Sequence, residues 1–277
     1  MYRGYKIKAY IPAGRRQYME LLMPQLYKLD YIDEIMILKN TSVPEDCEFI
    51  DNTLKECKKV HLYTMENASN EWKYRVQIIG KFYQYMCDED TIYIKFDDDL
   101  VYIHKDAIKT LLDYRIDNPQ YFVVYPLIIN NAYCLWRLAK NGKCDINETA
   151  NNQSAYHGAS DDYLYHDGEA ANKLHMWFIE NYLSKDKVSE LYINNEEIVD
   201  SRASINCIAW FGKDMKDACK YMYLFDDEEY ISRAWPNKTK RKNALVGNAV
   251  VAHFAFTPQR EKINEKELLE EYKKYID

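Results

Sequence analysis

The sequence predicts an α/β domain built on a mixed, mostly parallel central sheet flanked by helices, and three observations carry that expectation. Short apolar runs with period-2 alternation recur along the first half of the chain, each followed by a segment with helical spacing. Strands that alternate with helices require crossover connections, which favour parallel pairing with both faces covered. Polar turns at Gly14, Asn40 and Asp97 each follow such a strand, so they are expected on the rim of carboxyl ends where open α/β sheets bind ligands.

Taken in order, Lys6-Ile-Lys-Ala-Tyr-Ile-Pro-Ala-Gly14 reads as a strand entering a Pro/Gly turn, and Tyr18, Leu21, Leu22, Leu26 and Leu29 follow on one helical face. Ile32 to Lys39 reads as the second strand, closed by the short polar side chains of Asn40-Thr-Ser42, and Val60 to Thr64 as the third. Trp72, Val76, Ile79, Tyr83 and Met86 step by four and three, the stripe of an amphipathic helix over 71–86. It leads into Thr91-Ile-Tyr-Ile-Lys-Phe96, a strand that ends in the consecutive carboxylates Asp97, Asp98 and Asp99. A short helix over 105–114 and a buried strand over 120–130 follow. From Ala132 to Asp200 the pattern loosens: 151–162 reads as loop, while 168–185 carries helical spacing. The runs 203–212 and 249–256 are apolar strands, 236–243 is a basic loop, and an amphipathic helix from Ile263 closes the chain.

With 277 residues, 47% of them hydrophobic and 29% charged, the composition is that of a globular chain with one large core. A formal charge of −7 disfavours nucleic acid as the main partner, because polyphosphate chains select basic footprints. No apolar run is long enough to span a bilayer and the N-terminus lacks a signal-peptide core, which leads us to expect a cytoplasmic protein. Seven scattered cysteines without a CxxC pair read as reduced thiols. The 26 tyrosines fit compositional bias, or sugar stacking where they are exposed. One domain over 1–277 is expected, with a ligand-binding half over about 1–131, an acceptor-side insertion over 132–204 and a closing part over 205–277.

Adjacent aspartates repel one another, so the triplet is tolerable in a solvated turn or around a cation. On an extended segment Asp97 and Asp99 share a face, and hard oxygens paired in this way suit Mg²⁺ or Mn²⁺. An EF-hand is excluded, since no Gly or Glu falls at the required offsets. The second acidic cluster, Asp226-Asp-Glu-Glu229, sits at a helix start, where the dipole alone favours carboxylates. His157, His166 and His175 form a loose cluster, but His157 and His166 are nine apart in a loop without HExxH or HxxxH spacing and read as solvated histidines.

Together, Tyr10-Ile-Pro-Ala-Gly-Arg15, Tyr93 to Ile103 with its Asp triplet, Phe225 to Ile231 and Gly247 to Phe256 resemble the nucleotide-sugar-dependent glycosyltransferases of the GT-A fold, of a type found in bacteria and large DNA viruses. The likeness covers about residues 5–131 and 203–260. It implies a GT-A, Rossmann-like sheet and a DxD motif in which Asp97 and Asp99 hold the cation, Asp98 orients its neighbours beside the cofactor, and His253 completes the metal shell. A core histidine is the other reading of His253. The resemblance further implies a nucleoside-diphosphate sugar as donor, a UDP-sugar being the commonest kind, a carbohydrate or glycoconjugate acceptor, and Glu228 or Asp227 as base in an inverting displacement for glycan biosynthesis. Ile11, Pro12, Ala13, Arg15, Asn40 and Arg75 are expected around the nucleotide, and Arg241, with Lys238, Lys240 and Lys242, over the diphosphate. Surface ion pairs are the alternative for Arg15 and Arg75, and a solvated basic loop is the alternative for the run with Arg241. Trp210 is either a floor for the sugar or a core plug.

Two rivals stay open. A nucleotidyltransferase would use the triplet for metal-assisted phosphoryl transfer and release pyrophosphate, although Ile11 to Arg16 makes a thin triphosphate cradle. A non-catalytic sugar- or protein-binding module would use the acids for Ca²⁺ or for nothing. Sugar, base, acceptor and oligomeric state are not encoded in any motif recognised here.

Overall fold

A computed structural model describes residues 1–54, 57–65, 72–145, 163–198 and 201–276. Nine strands form one sheet: β1 (Lys6–Ala13), β2 (Glu34–Lys39), β3 (Val60–Tyr63), β4 (Thr91–Phe96), β5 (Leu100–Ile103), β6 (Val124–Ile129), β7 (Glu196–Ile198), β8 (Cys207–Phe211) and β9 (Asn243–His253). Their order is β3-β2-β1-β4-β8-β6-β9-β5, with β7 also on β9. β1 to β4 are mutually parallel, β8 runs against both β4 and β6, and β6 is parallel to β9; six strands therefore share one direction, and β5, β7 and β8 oppose it. The expected α/β class with a mixed, mostly parallel sheet is what the chain adopts.

The first crossover shows why the pattern was readable. The helix Arg16–Tyr27 starts directly after the Gly14-Arg15 turn and buries Tyr18, Met19, Leu21, Leu22, Met23 and Leu26 against the sheet, while Pro24 lies on its exposed side. The later helix Trp72–Phe82 also forms, but it buries Ile78 and Phe82 and leaves Val76 and Ile79 half-buried, so its core face is rotated from the expected stripe. Strands β5 and β7 and several helices, Ala132–Lys140 among them, had no sequence signal. β5 follows the Asp triplet by one residue, β7 is three residues long, and the helix Ala132–Lys140 opens with Asn131 accepting the Cys134 N–H at 3.2 Å.

The long strand β9 organises the second half. One edge pairs with β6; the other carries β7 against Asn243–Leu245 at its start and β5 against Val251–His253 at its end. The basic stretch expected as a loop is partly a helix, Trp235–Thr239, with Pro236 at its first turn and Lys240 left-handed at its end. Trp210 is fully buried, stacked on Tyr93 with ring centres 5.8 Å apart, so it is a core plug. His175 is also buried; its Nδ1 lies 2.7 Å from Tyr272 Oη and its Nε2 2.7 Å from the Phe254 carbonyl, a fully partnered core histidine. His157 lies outside the described residues. No helix among the described residues is long and apolar enough to cross a membrane.

Candidate active site

The carboxyl ends of β1, β4 and β9 converge on one cleft. β4 delivers Asp97 at its end, β5 begins just after Asp99, and β5–β9 pairing sets Leu100 opposite His253. The Phe254 N–H donates to the Asp99 carbonyl at 2.9 Å, which fixes both residues at the same edge. Asp97, Asp99 and His253 each place one possible ligand atom within 4.8 Å of the others.

Each carboxylate of the triplet has a different set of partners. Asp97 accepts from Lys95 Nζ and, at 3.1 Å, from Asn206 Nδ2. Asp98, expected to point away, is 3% exposed and turns back to β1: it accepts the Gly14 N–H at 2.7 Å and Arg15 Nε at 2.9 Å. It is a pin for the β1 turn. Asp99 Oδ2 contacts Arg260 Nη2 at 2.7 Å, Arg15 Nη1 at 3.1 Å and His253 Nε2 at 3.3 Å. Burial pushes the Asp99 carboxyl up, but Arg15 and His253 outweigh it and hold it at about 2. Burial likewise opposes charge on His253, and the Asp99 carboxylate raises it above its ordinary value.

Facing this group across a cavity of about 250 Å³ is the second acidic cluster. Asp226 caps the short helix Asp227–Glu229 by accepting the Glu228 N–H at 2.9 Å. Arg202 reaches Asp226 at 2.6 Å and Glu228 at 3.0 Å, and Tyr83 Oη donates to Asp227 at 3.3 Å. Burial pushes Glu228 up to about 7 despite Arg202, and Asp227 up to about 6 despite Lys95. Lys95 itself is buried, and although burial disfavours its charge, Asp97 more than compensates and keeps the ammonium protonated.

Several expected contacts are elsewhere. Ile11 and Ala13 point into the core, Pro12 is half-buried in β1, and none of the three lines the cavity. Asn40 pairs its N–H with the Ala13 carbonyl, beside the β1 turn but outside the cleft lining, and Val76 lines the cleft where Arg75 was expected. Arg241 corrects the expectation most sharply. It donates to the carbonyls of Pro119, Gln120 and Tyr121 and pairs with Asp214 at 2.6 Å. It precedes β9, whereas His253 ends it; part of β9 is taken up by the bulge where Val246 and Val250 pair with the adjacent Pro126 and Leu127, and at ~3.3 Å per residue the rest still spans roughly 30 Å, so the basic stretch cannot close over phosphates held near His253. Lys238 lies over the Trp235 ring at 5.1 Å and Lys242 pairs with Glu197.

Lys95, Arg202, Asn206 and Arg260 all line the cleft and were missed. The Lys95 signal was present in the sequence, as a lysine inside an otherwise apolar strand. The other three reach the site only through long-range packing.

The residues fit a hard divalent cation. Two carboxylates and an imidazole are suitable donors for Mg²⁺ or Mn²⁺, and Asp99 Oδ1 and His253 Nδ1 are buried polar atoms with no hydrogen-bond partner. A buried orphan carboxylate oxygen is costly unless something coordinates it.

Fold and side chains together define a class: an α/β domain with a carboxylate-rich, cation-lined cleft at the carboxyl ends of its parallel strands. No protein-family model matches the chain, and no curated protein matches it. Among solved structures, a CMP:2-keto-3-deoxy-manno-octonic acid synthetase complexed with CTP is similar over 97% of this chain and 99% of its own, at 11% identity and a TM-score of 0.49. A 4-diphosphocytidyl-2C-methyl-D-erythritol synthase from Anaerococcus prevotii is similar over 98% and 96%, at 9% identity and a TM-score of 0.46. Both are nucleotidyltransferases. The expectation of a GT-A glycosyltransferase is corrected by these neighbours, and with it go the nucleotide-sugar donor, the glycan acceptor and the inverting glycosyl displacement. Reaction chemistry has to be read from the cleft.

Proposed function

We propose that this protein is a metal-dependent nucleotidyltransferase, which passes the nucleoside-α-phosphoryl unit of a nucleoside triphosphate to an acceptor oxygen and releases pyrophosphate. The observation that carries this reading is the juxtaposition of a three-residue cation site, Asp97, Asp99 and His253, with the side chains of Arg15, Lys95 and Arg260 in one cleft. A triphosphate is a polyanion that requires both. Asp97, Asp99 and His253 would hold Mg²⁺ or Mn²⁺, which when bound supplies Lewis-acid stabilisation of the charge on the leaving pyrophosphate. Arg15 and Lys95 supply fixed positive charge on the same side, where negative charge develops as the Pα–O bond breaks.

Glu228 and Asp227 take the acceptor side. With carboxyls raised to about 7 and about 6, both are partly protonated near neutral pH, the range in which a carboxylate can receive a proton from an attacking hydroxyl. The acceptor oxygen bonds to Pα, its proton passes to Glu228, and pyrophosphate leaves. Arg202, at the end of the 132–204 segment expected on the acceptor side, holds Glu228 in place.

The test is pyrophosphate release from each of the four ribonucleoside triphosphates with Mn²⁺ or Mg²⁺, across a panel of hydroxylated and phosphorylated small acceptors. Metal-dependent pyrophosphate release is expected, and Asp99→Ala should abolish it. Absence of pyrophosphate with every acceptor, together with no cation-dependent nucleotide affinity, would refute the reading.

A further inference from the structure

We propose that Arg260, beside the fixed Arg15, is the polyphosphate ligand of the cleft, and that Arg260 makes cation binding and polyphosphate binding cooperative by exchanging partners. This rests on the nucleotidyl-transfer reading of the same site and adds how its two charged ligands communicate.

The carboxylate oxygen nearest the cation site is already engaged. Asp99 Oδ2 carries Arg260 Nη2 at 2.7 Å and Arg15 Nη1 at 3.1 Å, whereas Oδ1 has no partner. A divalent cation seated on Asp99 would therefore stand within a few ångströms of two guanidinium charges. At such separations like-charge repulsion is large even at the effective dielectric of a partly wet cleft. One side must yield. The Asp99 side chain is 2% exposed and fixed between β5 and β9; the Arg260 and Arg15 side chains are 24% and 30% exposed and enter from the rim. Arg15 is also held by the buried Asp98 carboxylate, so Arg260 is the mobile partner.

The geometry of the pair says what Arg260 would turn to. Both guanidinium groups lie over the ring of Tyr18, Arg15 at 5.4 Å and Arg260 at 5.5 Å from its centre, so two like charges share one aromatic platform. Asp99 is the carboxylate of Arg260, whereas Arg15 is held mainly by Asp98. Once a cation claims Asp99, Arg260 needs another anion, and a planar fork suits the bidentate acceptance that phosphate oxygens offer. Arg260 Nε and Nη2 also donate to the Ala255 carbonyl, at 3.3 and 2.9 Å, which anchors the side chain while its tip changes partner. A cation alone must therefore displace Arg260 without compensation, whereas a cation carrying a polyphosphate gives it a new partner.

Arg260→Gln separates the two effects, because Arg260 makes no bond to the Asp98 pin. We would measure Mn²⁺ alone by water-proton relaxation and the manganese complex of inorganic tripolyphosphate by calorimetry, on wild type, Arg260→Gln and Arg260→Lys, with melting curves to confirm folding. Arg260→Gln is expected to bind Mn²⁺ about tenfold tighter and the manganese–tripolyphosphate complex about tenfold weaker. Arg260→Lys keeps the charge but loses the fork, so its Mn²⁺ affinity should stay near wild type while tripolyphosphate binding still falls. Shifts of the same sign in both assays for Arg260→Gln, or no shift in either, overturn the proposal. Neither readout needs turnover. Opposite shifts without pyrophosphate release would refute the transfer reaction and leave the clamp standing, and pyrophosphate release with parallel shifts would refute the clamp alone.

Discussion

Removing the Asp98 carboxylate isolates the pin that holds the β1 turn against the metal-site strand. Its side chain is 3% exposed and accepts the Gly14 N–H and two N–H groups of Arg15. Asp98→Ala leaves a buried amide without an acceptor, worth about 1–3 kcal/mol. It also strips Arg15 of its main partner and leaves the 3.1 Å contact to Asp99. Breaking a buried pair from one side costs about 3–5 kcal/mol, so the combined loss is expected near the upper part of that range. For a chain of this size each kcal/mol lowers Tm by about 2–4 °C, which puts the expected drop at roughly 10 °C or more. Asp98→Asn keeps an acceptor for Gly14 but turns an NH2 donor towards the Arg15 N–H groups. It loses the Arg15 bonds with the charge and spares only the cost of the Gly14 amide, so a drop somewhat smaller than that of Asp98→Ala is expected. Calorimetric melts at pH 7 measure both, with Asp117→Ala, whose partner Arg3 is at the surface, as a control expected to change little. An Asp98→Ala protein melting within about 2 °C of wild type would show that the turn is held by something other than this carboxylate.

Two pH effects of opposite sign and one steric effect follow from the same coordinates. Burial raises Glu228 from 4.5 to about 7, so between those values the folded chain holds more protons than the unfolded one. Its contribution to stability therefore falls as pH rises through that window, by up to about 3 kcal/mol; urea midpoints from pH 4 to 8 should lose this slope in Glu228→Gln, and an unchanged slope would contradict the raised carboxyl. For activity, the rising limb with its midpoint near pH 7 should vanish in the same variant. His175 behaves inversely: burial lowers it from 6.5 to about 4, so stability present above pH 6.5 is lost as pH falls towards 4, again by about 3 kcal/mol. His175→Gln should flatten that acid loss, and a variant that keeps the full loss would assign it to other groups. Gly212→Ala would place a methyl on the Asp88 carbonyl oxygen and within 2.8 Å of Tyr93 Cε2. Backbone cannot yield as a flexible side chain can, so a loss of about 3 kcal/mol or more is expected; wild-type melting of Gly212→Ala would mean that the 88–93 turn moves aside.

What was legible in the sequence is what local periodicity encodes. β1, the helix behind it, β4 and the buried end of β9 each carry their own pattern of apolar residues, and the Asp triplet announces itself by charge density. What failed depends on partners distant in the chain. Leu100–Ile103 and Glu196–Ile198 are too short to show alternation, and they become strands because β9 offers its free edge at both ends. Asp98 was assigned by strand geometry to the far side, but the chain leaves β4 at Phe96, so the i, i+2 rule no longer governs it. The basic stretch was misread for a different reason. Charge marks Lys238 to Lys242 as a candidate phosphate contact whichever end of β9 it occupies, and the strand was expected to start at Ala249, whereas it starts at Asn243. Beginning the strand six residues earlier would have put Arg241 and His253 at opposite ends.

The cleft's charges explain why both halves of the reading stand on one residue that no motif marks. Asp97 and Asp99 with His253 form one acidic group, neutralised from the rim by Arg15 and Arg260; Asp226, Asp227 and Glu228 form another, neutralised by Arg202. Lys95 lies between them. Its Nζ bonds Asp97 and, at 3.0 Å, the Ile205 carbonyl, while Asp227 and Glu228 add to the field that keeps it charged. A cation held at Asp97 would compete with Lys95 for that carboxylate, so the buried amine that touches the first acidic group also stands in the field of the second.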